Sequence, residues 1–180
     1  MVKLWMKNCS HRVERLPVIS LSVSDNYYKA FTSPNPDHNA RIYNAAEVLV
    51  GKTTFAVSPL YDRVYLFDIE VIPEYRRQGY ATAVLRYLTG TYNHPITAIK
   101  ELYGASDFWA SARRLKEVGI IVTEPLSCSE MDHEAARWQH LQPEVDRLDK
   151  LINERLTVYN EPWHSATGRG LETMGLKDDR

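Results

Sequence analysis

Apolar positions recur along the chain with a period that changes from two to between three and four, and the sharpest change falls in its middle. Val64 to Val71 is a run of β-branched, aromatic and apolar residues broken by Asp68 and Glu70, which predicts a strand over about 63–72 ended by Pro73. Beyond Gly79, the residues Ala81, Val84, Leu85 and Leu88 fall at helical spacing and predict a helix from about Gln78 to Tyr92. A short glycine-bearing turn therefore delivers a strand into a helix N-terminus. Upstream, Pro17 to Ser24 alternates like a strand, Asp25 to Phe31 is a short helical candidate, and Ser33 to Asn39 reads as loop. The apolar runs Ile42–Val50 and Thr53–Val57 predict a hairpin turning at Gly51-Lys52 and feeding the central strand.

Downstream of the helix, Pro95 opens a short strand, Ile96 to Lys100, followed by a helix over about 105–115 with Ser106 or Asp107 as N-cap. Gly119 ends that helix and Ile120 to Val122 reads as a last strand. From Ser129 the chain turns polar and helical. Within the helical stretch Glu130 to Leu156, which Pro143 interrupts, Leu141, Val145, Leu148, Ile152 and Leu156 form an amphipathic stripe suited to packing on the domain or on a second copy of the chain. The tail from Asn160, rich in glycine, is expected to be mobile.

Composition narrows the picture. The chain of 180 residues suffices for one domain with an appendage, and 44% hydrophobic with 25% charged residues is ordinary for a globular protein. A net charge of −1 argues against a dedicated nucleic-acid binder, although residues 76–116 are locally basic. Only Cys9 and Cys128 are present, so no disulfide framework exists and a reducing, cytoplasmic setting is expected. No apolar run is long enough to span a membrane.

Two local patterns carry less than they promise. Gly51-Lys52-Thr53 resembles the end of a phosphate-binding loop, but Ala46 stands where that motif needs its first glycine. Cys128, His133 and His140 do not have metal-ligand spacing, so no metal site is expected.

The turn after Pro73 holds more chemistry. The first amides of a helix lack carbonyl partners and lie at the positive end of its dipole, where a phosphate accepts from several at once. Gly79 and Ala81 leave room for an anion to approach the backbone, and Arg76 and Arg77 add positive charge.

Ile69-x-Val71-x-Pro73-Glu74-Tyr75-Arg76-Arg77-Gln78-Gly79-Tyr80-Ala81 resembles the acyl-CoA signature of the GNAT acetyltransferase superfamily. The resemblance implies an α/β (α+β) fold, a mixed and mostly antiparallel sheet of about six strands flanked by helices. It implies an acyltransferase domain, placed over 1–127, and the residue pattern beyond it predicts an amphipathic helical extension over 128–158 and a tail over 159–180. It also implies acetyl-CoA as cosubstrate and an amine acceptor, with homodimerisation through the C-terminal helix as a further expectation. Cofactor contacts would come from Ile69, Glu70 and Val71 on the strand, and from Arg76, Arg77, Gln78, Gly79, Tyr80, Ala81 and Thr82 at the turn. Ser106 and Trp109 would complete them across the cleft. The amide of Val71 would polarise the thioester carbonyl.

Acyl transfer to an amine needs a base for the amine and an acid for the leaving thiolate. Asp68 is the expected base. Many family members carry the acid as a Tyr in an aromatic pair that is Phe108-Trp109 here, and neither ring gives up a proton at neutral pH, so either Tyr103 or Ser106 substitutes or the thiolate leaves unaided, with Glu101 a further candidate at the mouth of the gap. Simple alternation places Leu66, Asp68, Glu70 and Ile72 on one strand face and Tyr65, Phe67, Ile69 and Val71 on the other. Rival readings are a nucleic-acid-modifying or toxin-like GNAT enzyme, and a non-catalytic acyl-CoA-binding module.

Overall fold

A computed structural model describes residues 15–26, 35–162 and 166 of the chain. Five strands form one sheet in the order β1 (Ile19–Asn26), β2 (Asp37–Asn44), β3 (Leu49–Val57), β4 (Val64–Val71), β5 (Ile96–Ala98). The first four pair antiparallel and β5 joins β4 in parallel. The parallel pair needs a crossover, supplied by α1 (Tyr80–Tyr92). After β5 come α2 (Ser106–Arg113), α3 (Cys128–Ala135) and α4 (Gln142–Thr157). The stretch expected as a sixth strand is reduced to bridges: residues 121–126 run parallel beside β5, touching it at Ile96↔Val122 and just beyond it at Ile99↔Leu126.

The hairpin turns earlier than its apolar runs suggest. Asn44 makes the turn, its Oδ1 accepting from the amides of Ala46 and Val48 at 2.9 and 3.0 Å, with Glu47 left-handed at φ 58°. Gly51 and Lys52 lie inside β3, opposite Val71 and Glu70. Glycine is required at 51 for close approach, because a Cβ there would lie 2.3 Å from the Glu70 carbonyl. Asp25 and Asn26 belong to β1, and the rest of the helical candidate over 25–31 lies outside the described residues. Pro143 sits in the first turn of α4, where its missing N–H is no loss, so it starts a helix rather than interrupting one.

Layers cover both faces of the sheet. On one, Ile42, Phe55, Val64 and Leu66 pack against Val84, Leu85 and Leu88 of α1 and Trp109 and Ala112 of α2. On the other, Tyr65 packs against Met131 of α3 and Trp138, with Phe67 and Leu126 alongside. Ser127 starts α3 with a capping box, its hydroxyl accepting from the Glu130 amide.

A β-bulge in β4 overturns the simple alternation. Thr54 pairs with Asp68 while Phe55 pairs with Leu66, so Phe67 is an extra residue. The phase slips there. Ile69 and Val71 share the α1 face with Leu66, and Asp68 and Glu70, opposite Thr54 and Lys52, share the other face with Phe67.

Candidate active site

The bulge also re-aims the backbone. Ile72 donates its amide to Val50 at 2.9 Å across β3, so the amides of Val71 and Ile69 turn the opposite way, toward the β5 side. Among the described residues, no strand meets them there. Pairing between β4 and β5 ends at Leu66↔Ala98, with Ile99 donating to the Leu66 carbonyl at 2.9 Å. Lys100, left-handed at φ 55°, then donates to Leu126 at 2.8 Å on the far side. A slot opens between the two chains.

At its upper end stands the turn. Pro73 starts a single 3-10 turn, and Tyr75 donates back to Ile72 at 2.9 Å. Arg76 donates its Nε to the Val71 carbonyl at 2.9 Å, and Gln78 donates its side-chain amide to the Glu74 carbonyl at 2.9 Å. Arg77 at φ 60° and Gly79 at φ 91° then wrap the chain into α1. Glycine fits position 79 twice over: the backbone is left-handed, and a Cβ would lie 3.2 Å from both Leu16 and Pro17. No side chain caps α1, and its first backbone bond runs from the Ala83 amide to Gly79 at 2.9 Å. Among the described residues, no protein acceptor takes the amides of Gln78, Gly79, Tyr80, Ala81 or Thr82. These N–H groups lie at the positive end of a 13-residue helix.

Turn and slot are parts of one cleft of about 1010 Å³. Of the residues singled out from sequence, Asp68, Ile69, Glu70, Val71, Arg76, Arg77, Gly79, Tyr80, Ala81, Thr82 and Trp109 line it. Gln78 and Ser106 are exposed beside it and do not line it. Ser106 is the first residue of α2, with Ala105 in the N-cap position and no side-chain cap. Tyr103 lies in a 3-10 turn, Tyr103–Ala105, and its side chain lies outside the described residues. The opposite wall includes Ile99, Lys100, Leu102 and Gly104, which pattern reading passed over. The strand expected over Ile96 to Lys100 ends at Ala98, which leaves Ile99 and Lys100 to the wall.

The two carboxylates on the β4 lip differ. Glu70 is tied to Lys52 Nζ at 3.0 Å, which draws the Lys52 ammonium pKa upward through that hydrogen bond and its charge. Asp68 is exposed, and among the described residues its carboxylate enters no hydrogen bond or ion pair. Phe108 and Trp109 meet edge to face at 4.9 Å on the far wall, Trp109 buried and Phe108 half-buried. The arrangement offers an anion cradle, a strand edge with two inward amides, and one uncommitted carboxylate.

Residues 7–110, more than half of the chain, match the acetyltransferase (GNAT) family. The chain belongs to that family. Comparison with curated proteins finds no match. Among solved structures it is similar to nourseothricin acetyltransferase at 18% identity and a TM-score of 0.28, over 48% of this chain and 62% of that one. So slight a likeness carries no substrate across. Among the described residues no helix is long and apolar enough to cross a membrane.

Proposed function

We propose that the chain is an acyl-CoA-dependent N-acyltransferase that moves an acetyl group from acetyl-CoA to an amine. The observation that carries this reading is the single cleft joining the open α1 amides to the slot between β4 and β5. Its chemistry suits a ligand with a diphosphate at one end and a slender arm at the other.

In this reading the amides from Gln78 to Thr82 receive the diphosphate, with Arg77 adding charge from the rim. The slot takes the pantetheine arm, and its amides replace the strand partners that β4 loses beyond Leu66. The Val71 amide donates to the thioester carbonyl oxygen, where negative charge builds as the amine attacks. Asp68 draws the proton from the amine, directly or through one water. The new C–N bond forms, the C–S bond breaks, and the thiolate takes a proton. Phe108 and Trp109 have none to give, so Tyr103 or solvent supplies it. A phosphate-rich acceptor would meet Asp68 and Glu70 on the same lip, which favours a cationic amine over a nucleic acid.

The test is Asp68→Asn in the full chain, read by thiol release with an amine panel and by acetyl-CoA calorimetry. Turnover falling by about 10²–10⁴-fold with unchanged affinity supports the assignment. Unchanged turnover removes Asp68 from it, and a wild-type chain that binds acetyl-CoA but acylates nothing favours the binding-module alternative.

A further inference from the structure

The far wall of the slot is a loop, residues 99–105, between β5 and α2. Its attachments change side within two residues: Ile99 still donates to β4 through Leu66, and Lys100 already donates to Leu126. Lys100 makes that change in a left-handed backbone, φ 55°, which an L side chain adopts only at a cost that the surroundings must offset. Apolar packing holds the loop at its ends, Ile99 on one core cluster and Ala105 on the other. Between them Leu102 is 66% exposed.

One described side chain between these ends is anchored. Lys100 and Leu102 line the slot, whereas Glu101 between them is absent from its lining and is hydrogen-bonded to Arg113 of α2. The pair is mostly covered, with 17% of the Glu101 side chain and 23% of the Arg113 side chain exposed. Arg113 also places its buried Nε 3.4 Å from Glu124, on the segment that runs beside β5. Three pieces of chain thus meet on one guanidinium.

We propose that Arg113 and Glu101 form a positioning clamp that sets the width of the slot, and with it the affinity for the acyl-pantetheine half of the cosubstrate. The clamp touches no reacting atom. A covered ion pair is a poor source of net stability compared with apolar packing, but the charge-assisted hydrogen bond from Arg113 Nη2 to Glu101 Oε1 is directional, which is what a strained loop wall needs. Burial pushes the Glu101 carboxyl above its ordinary value, Arg113 pulls it back and Glu124 pushes it further up. Lowering the pH therefore protonates Glu101 earlier than an ordinary glutamate and loosens its hold on Arg113.

The inference rests on reading the cleft as the acyl-CoA site, and the test separates the two. Acetyl-CoA and adenosine 3′,5′-bisphosphate, which lacks the arm that enters the slot, are titrated into the full chain by calorimetry. The variants are Glu101→Gln, Arg113→Gln and Arg113→Lys, with thermal melts alongside. The clamp predicts that Glu101→Gln and Arg113→Gln weaken acetyl-CoA by about tenfold and leave the bisphosphate unchanged, with Arg113→Lys intermediate. It predicts further that acidification lowers the wild-type ratio of the two affinities and leaves that of Glu101→Gln flat. Equal loss for both ligands, or no loss for either, overturns the clamp while leaving the cleft assignment in place. A wild-type chain that binds neither ligand overturns both.

Discussion

The Ile99 amide meets the Leu66 carbonyl at 2.9 Å, and beyond that bond β4 and β5 part. Below it the two strands are paired and their side chains, Val64 to Leu66 and Ile96 to Ala98, are buried. Above it, among the described residues, β4 keeps only its β3 partner, and the bulge at Phe67 has already turned the amides of Ile69 and Val71 outward. The slot is thus built from two local irregularities rather than from any one side chain.

Gly79 joins two demands that a side chain cannot meet. Gly79→Ala forces a left-handed alanine against Leu16 and Pro17. The expected cost is about 1–2 kcal/mol in denaturant unfolding, together with weaker acetyl-CoA binding as the turn amides shift. A variant with wild-type stability and affinity would show that the turn tolerates a Cβ.

Trp138 holds the C-terminal helices to the back of the sheet. Its ring lies edge-on to Tyr65 at 5.9 Å, and the indole is 5% exposed. Trp138→Ala should cost about 3–5 kcal/mol, and hydrogen exchange should show α3 opening more often than α1.

Acid should loosen the same interface. Burial works to raise the Asp62 carboxyl, but the hydrogen bond from Arg137, the nearby Ser58 hydroxyl and the charges of Arg137 and Arg63 outweigh it and hold the carboxyl below its ordinary 3.8. A depressed folded pKa adds stability that is fully present above the unfolded value and is lost as pH falls through the folded one. Melting temperatures of the wild type and Asp62→Asn should therefore differ at neutral pH and converge below about pH 3.8. A difference that persists into strong acid would assign the effect to packing.

Much of this was legible in the residues. Val64 to Val71, the stop at Pro73, the glycine turn and the helical spacing from Ala81 to Leu88 gave the strand, turn and helix where they lie. Three features were not. The bulge at Phe67 has no signature in a run of apolar residues, because it is set by pairing with Thr54 and Phe55 on another strand. The β2–β3 turn did have one, the side chain of Asn44, hidden inside an apolar stretch next to a more conspicuous Gly51. The far wall depended on Lys100 going left-handed and on Arg113 reaching Glu101, which are tertiary facts.

The most direct measurement is the backbone amide spectrum of the ¹⁵N-labelled chain during titration with acetyl-CoA. The account predicts saturable shifts concentrated at Gly79, Tyr80, Ala81 and Thr82, with a second group at Ile69 and Val71. Spectra that stay unchanged at millimolar ligand, or shifts confined to surfaces away from these six amides, would contradict it.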